Sequence, residues 1–145
     1  MSFSIYVSTM NNDDENMFDR SVVERAFRDI SVDQTGGYWN LRSPDGRIAS
    51  TTIFIEDKLK ISGFSANRPP SYSGFPKFWN AMFEILRQTR TIIFWPAAKG
   101  PHPRCCVADL ALVPDLSSDL TNALGKPAIV SAGAEIEAAI ALTDH

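Results

Sequence analysis

The chain has 145 residues, 44% hydrophobic and 21% charged, with a formal net charge of −3; these are the proportions of an ordinary globular domain and exclude a disordered or fibrous chain. No apolar run approaches the roughly 20 residues that span a bilayer, and Met1–Met10 lacks the basic start and long apolar stretch of a secretory signal, so a cytoplasmic protein without membrane contact is expected. The charge is uneven, at net −3 over residues 1–60, +4 over 61–110 and −4 over 111–145, an asymmetry able to steer a charged partner.

Phe3, Ile5 and Val7 alternate with Ser4, Tyr6 and Ser8, the period-two pattern that predicts a strand over residues 3–9. Asn11–Asp19, rich in turn formers and acids, reads as a loop. Asp19 or Ser21 is placed to cap a helix over residues 20–30, with Glu24 three residues after Ser21 as in a capping box and Val22, Val23, Ala26, Phe27 and Ile30 as its apolar stripe. Ser43-Pro44-Asp45-Gly46, in which proline presets φ and glycine accepts a positive φ, joins strands at Tyr38–Arg42 and Ile48–Glu56 into a hairpin. Glu56-Asp57 reads as the turn of a second hairpin into Lys58–Ser65, so three consecutive strands are expected to form an antiparallel meander.

The strongest pattern runs from Gly74 to Pro96. Phe75, Phe78, Trp79, Met82, Phe83 and Leu86 recur at helical spacing on one face that must be buried, each such side chain being worth roughly 1.5–3 kcal/mol when removed from water. Thr91–Trp95, closed by Pro96, reads as an inner strand. Pro96–Arg104 is broken by prolines and a glycine into an irregular loop. Beyond it the pattern predicts a strand over Cys105–Leu112, a short helix over Pro114–Leu124 ended by Gly125, a short strand over Pro127–Ser131, and a terminal helix over Ala134–Leu142 with Glu135 and Glu137 near its N-terminus. The order β-α-β-β-β-α-β-β-α-β-α mixes antiparallel hairpins with helices, which predicts a single α+β domain over residues 1–145, its helices packed on an antiparallel meander sheet.

Few residues suggest chemistry. Asn11–Asn16 is dense in oxygen ligands, but with Asp13 as the first ligand Phe18 stands where a calcium loop requires glycine, so no metal is expected. His102, Cys105 and Cys106 are the one grouping suited to nucleophilic or zinc chemistry. Adjacent cysteines on a strand point to opposite faces, however, so one is expected to be buried and inert, and the other histidine is His145 at the C-terminus. A basic and aromatic set, Arg68, Lys77, Arg87, Arg90, Lys99 and Arg104 with Tyr72, Trp79 and Trp95, has the composition of a nucleic-acid surface. The helix and strand patterns assign its tryptophans to the core, and no glycine-rich loop precedes a helix, so neither direct nucleic-acid binding nor a cofactor is expected. That leaves the acids. Asp13, Asp14, Glu15 and Asp19, with Glu56 and Asp57, fall in predicted loops, and if they converge they suit a basic partner.

A first strand ending in STMNNDD, a GGYWNL strand opening the meander, Arg68-Pro69 after its third strand, FWNAMFEILRQT running into TIIFWP, and the late VPDL…LGKPAIVSAGAEIEAAI together resemble small immunity proteins of bacterial contact-dependent growth inhibition and related polymorphic toxin systems. The resemblance covers most of Gly36–Ile140 and rests on a pattern of elements. It implies a cytosolic, non-enzymatic inhibitor that binds the C-terminal toxin domain of a large exported protein and blocks its active site. Many such toxin domains are basic nucleases met by acidic immunity proteins; the basic middle of this chain departs from that pattern and leaves the toxin's class open. The alternatives are a non-enzymatic cytosolic regulatory or scaffold module that binds another folded protein, and a small thiol-dependent enzyme using Cys105 or Cys106.

Overall fold

A computed structural model describes residues 4–10, 16–70, 74–98, 100–116 and 118–144. The elements are β1 (Ser4–Thr9), β2 (Phe18–Asp19), α1 (Arg20–Phe27), β3 (Tyr38–Arg42), β4 (Ile48–Phe54), β5 (Lys60–Ile61), β6 (Gly63–Asn67), α2 (Pro76–Gln88), β7 (Thr91–Phe94), β8 (Cys105–Val107), a 3-10 helix (Leu110–Asp115), α3 (Ser118–Leu124), β9 (Ala128–Ile129) and α4 (Gly133–Ala141). Seven strands form one sheet in the order β3-β4-β6-β1-β7-β8-β9, antiparallel except for the parallel pair β8–β9, while β2 and β5 form a separate ladder. This is an α+β architecture. Because β1 lies between β6 and β7 and runs against both, α2 links two like-directed strands across it, a split βαβ unit.

The alternation in β1 sends Ile5 and Val7 to one face of the sheet, where they meet Trp39, Leu41, Ile53, Phe64, Ala66, Ile93 and Cys106 from the other strands. Helices α1, α2 and α4 cover this face, with α2 in the middle. Phe75, Phe78, Trp79, Met82 and Leu86 are buried as the spacing predicts; Ala81 and Ile85 join them, and Phe83, at the margin of the stripe, is only partly covered. Helix α4 seats its first turn on α2 so closely that a Cβ at Gly133 would lie 2.5 Å from the Trp79 carbonyl carbon. The chain beyond α4 is latched down as well: Trp95 Nε1 donates to Thr143 Oγ1 at 3.0 Å, and Arg68 donates to both Asp144 carboxylate oxygens at 2.7 and 2.6 Å.

On its other face the described residues cover the sheet only in part. Met10, Ile92, Cys105, Val107 and Leu112 make a second, smaller cluster near the 3-10 helix and α3. The outer edge of β3 is closed by the segment after α1, where Val32 N–H donates to Asn40 O at 2.8 Å and Arg42 N–H to Ile30 O at 2.7 Å. Covering an edge in this way removes a template for unwanted strand pairing.

Several local expectations are corrected. The Glu56-Asp57 turn does not lead straight into a partner of β4. The chain first detours to pair Lys60 and Ile61 with Asp19 and Phe18, and only then does β6 join β4, with Phe54 opposite Ser65. Part of the Asn11–Asp19 loop is therefore strand. Asp19 does precede α1, but its side chain makes no cap bond and pairs with Lys60 instead. The strand expected over Cys105–Leu112 stops at Val107, because the Asp109 carboxylate accepts from Ala111 N–H and starts the 3-10 helix. That helix contains Pro114, so α3 begins later than predicted. The first hairpin turn is as predicted: Gly46, at φ +85°, donates to Ser43 O, and the Asp45 carboxylate accepts from Ser43 Oγ and Arg47 N–H, which hold it below the usual carboxylate range.

Candidate binding surface

Of the acids singled out by sequence, Asp13, Asp14 and Glu15 lie outside the described residues. The other three come together where β2, α1 and the β4–β5 connection meet, around Arg20. Its guanidinium lies 5.0 Å over the Trp39 ring and donates to Glu56 O (3.1 Å), Gly36 O (2.8 Å) and Glu24 Oε1 (2.7 Å), with Asp57 at 4.0 Å. Asp19 is paired with Lys60 at 2.9 Å and Glu56 with Lys58 at 3.0 Å. Asp19, Glu24 and Asp57 line a shallow pocket of about 240 Å³ together with the exposed Leu59. The cluster is thus a mixed-sign corner of the surface, with three cations of this chain already serving its acids.

The larger feature is one that reading residues along the chain did not find. On the uncovered part of the sheet, the strand register sets Tyr38 opposite Phe54, Phe54 opposite Ser65, Ser65 opposite Tyr6, Tyr6 opposite Phe94, and Phe94 opposite Cys105. Tyr38, Phe54 and Tyr6 are 60%, 44% and 40% exposed, and the Tyr6 and Phe94 rings stack at 5.2 Å. A row of four aromatic rings therefore crosses the sheet from its β3 edge to the second apolar cluster. Ser4, Ser8, Asn40 and Asn67 flank the row, and among the described residues Arg42 is the one charged residue that the β3, β4, β6 and β1 alternation brings to this face. A sheet with one free face normally fills it with polar side chains; here aromatic rings occupy the line where solvent-facing residues belong. The sequence did hold a sign of this, since Tyr6 falls on the serine side of the first strand and Tyr38 beside the core Trp39, but only the register shows that these residues align.

The remaining sequence candidates are placed differently. Both cysteines are buried and free, Cys106 in the main core and Cys105 in the second cluster, because β8 is covered on both faces; burial therefore extends to the second thiol as well as the one expected. Burial pushes the Cys105 thiol up to about 11, with Arg104 partly opposing it. Burial, reinforced by neighbouring Cys105, pushes Cys106 above the ordinary thiol range. Neither thiol is exposed beside His102. Trp79 and Trp95 are core residues as expected, whereas Tyr72 and Lys99 lie outside the described residues. Among the described residues no group of three or more histidine, cysteine and acidic side chains is placed to hold a metal, and no helix is long and apolar enough to cross a membrane.

Comparison with protein-family models, curated proteins and solved structures returned no match.

Proposed function

We propose that this chain is a cytoplasmic immunity protein that binds the toxin domain of a contact-dependent growth inhibition or polymorphic toxin system and neutralises it by covering its active site, without catalysis of its own. In this reading the chain acts as a single α+β domain whose β3-β4-β6 meander and central β1 present the contact surface. The observation that carries it is the aligned row Tyr38, Phe54, Tyr6 and Phe94 on an open, almost uncharged sheet face. Protein interfaces concentrate binding in aromatic anchors at a centre poor in charge, surrounded by polar groups that exclude water. Tyrosine with serine and asparagine is also the composition of engineered and natural paratopes, since the ring supplies area at small entropic cost. A nucleic-acid ligand would need a matching array of cations, and among the described residues of these strands this face offers only Arg42. The mixed-sign corner at Asp19, Glu56 and Asp57, whose Arg20 packs over Trp39 of the helix-covered face, is a second and weaker candidate for contact.

The test is co-expression with the toxin domain encoded directly upstream of this chain's gene. Growth rescue and co-purification with the parent protein, both lost in the Tyr6→Ser/Phe54→Ser variant, support the reading. Rescue that survives this double substitution removes the sheet face from the contact. Failure of the folded parent chain to rescue shifts the reading to a regulatory module with another protein partner.

A further inference from the structure

The β7–β8 loop and the turn after α3 close on each other to form a pocket of about 220 Å³ between residues 100–104 and 124–127. Its polar side chains are His102, Arg104 and Lys126; Pro101, Pro127 and Leu124 supply apolar walls, and among the described residues no acid lines it. Among the described residues none of these three side chains makes a hydrogen bond or an ion pair. That distinguishes the pocket from the Arg20 corner, where each cation faces a carboxylate. The backbone beneath it is fixed: Trp95 N–H donates to Arg104 O at 3.2 Å, and Gly125, at φ +79°, ends α3 with its N–H on Thr121 O at 2.9 Å. A Cβ at Gly125 would lie 3.9 Å from Arg104 Nη2, so the guanidinium lies beside this turn.

Convergence of like charges without a counter-charge is unfavourable unless something offsets it. The C-terminal end of a helix provides at most roughly half a negative charge. That accounts for one of Arg104 and Lys126 at the end of α3 and leaves the other unbalanced. The geometry points to an oxyanion site, and we infer that this pocket binds a phosphate group, with Arg104 and Lys126 as charge-bearing donors and His102 as a further N–H donor. The volume is below the roughly 300–1,000 Å³ of pockets for drug-sized ligands, so the occupant is free phosphate or the phosphate of a small monoester whose body rests on the proline walls. The site lies beyond the Phe94–Cys105 end of the aromatic row and does not depend on the immunity reading.

The experiment is an NMR titration of the ¹⁵N-labelled full chain with inorganic phosphate and, separately, with phenyl phosphate, at constant ionic strength. Saturable shifts of the Gly100 and Gly125 amides and of the Arg104 guanidinium are expected, with affinity reduced roughly tenfold in each of Arg104→Gln and Lys126→Gln. Lys126 is exposed, so its substitution leaves the fold intact, and the dispersion of all other resonances checks this for both variants. Tighter binding of phenyl phosphate assigns the site to a monoester; tighter binding of inorganic phosphate assigns it to the free ion. The inference is overturned by shifts that do not saturate, by an equal response to acetate, or by variants that titrate like the parent.

Discussion

Arg20 shows how one side chain can be mistaken for a contact residue. Only 11% of its side chain is exposed, and its fork ties α1 to the Gly36 and Glu56 carbonyls while its plane covers Trp39. Lysine cannot reproduce that planar, multidentate arrangement. Arg20→Lys is expected to lower stability by about 1.5–3 kcal/mol, the usual worth of a hydrogen bond to a charged group, as read from urea denaturation. Lys60→Ala, which breaks only an exposed pair with Asp19, should cost less than about 1 kcal/mol. The thiols give a pH prediction. Cys105 has its ordinary value of 9.0 raised to about 11 in the fold, so its neutral form contributes fully below the ordinary value. As pH rises from there towards about 11 the unfolded chain ionises first, and stability falls. Urea midpoints should therefore drop over that alkaline range, less steeply in Cys105→Ala, and both thiols should react slowly with an alkylating reagent at neutral pH.

At the level of elements, α2 and α4 approach each other closely. A methyl group at Gly133 meets the Trp79 and Asn80 backbone at 2.5 to 2.6 Å, and backbone cannot swing aside as a side chain can. Gly133→Ala is expected to cost at least about 1–3 kcal/mol through overpacking, measurable as a lowered thermal midpoint, whereas Gly36→Ala meets no atom within 4 Å and pays only for its positive φ. The elements were legible where a single period dominates. Ile5 and Val7 mark β1, and Phe75 to Leu86 mark α2, because a buried face repeats along one segment. They were illegible where partners are distant. Nothing near Phe18 announces that it pairs with Ile61, and nothing near Asp109 distinguishes an edge residue from the cap of a 3-10 helix until the chain turns there. The same holds for the candidate surface. Asp19, Glu56 and Asp57 are visible as charges in loops, but the cations that face them and the alignment of Tyr6 with Phe54 and Phe94 are products of pairing across the sheet.

For the whole molecule, two parts of the surface make opposite kinetic claims on a protein partner. Asp19 and Glu56 have cations of this chain within 3.0 Å and Asp57 lies 4.0 Å from Arg20, so the corner projects little net field. Long-range steering depends on that field, and screening weakens it further beyond roughly 8 Å at physiological salt. Asp19→Asn/Asp57→Asn should then alter the association rate by no more than a few-fold. The aromatic row acts at contact range. Removing Tyr6 and Phe54 takes away exposed rings whose contribution to folding is small, roughly 0.2–1 kcal/mol for a cross-strand pair, yet it deletes the centre of the proposed interface, where anchors carry 2 kcal/mol or more each, at least about thirtyfold in affinity. That loss should appear as faster dissociation, since substitutions within one interface act mainly on the off-rate. Surface plasmon resonance with the immobilised toxin domain separates the two claims. A dissociation rate unchanged by Tyr6→Ser/Phe54→Ser, combined with a salt-dependent collapse of the association rate in Asp19→Asn/Asp57→Asn, would move the contact from the sheet face to the charged corner.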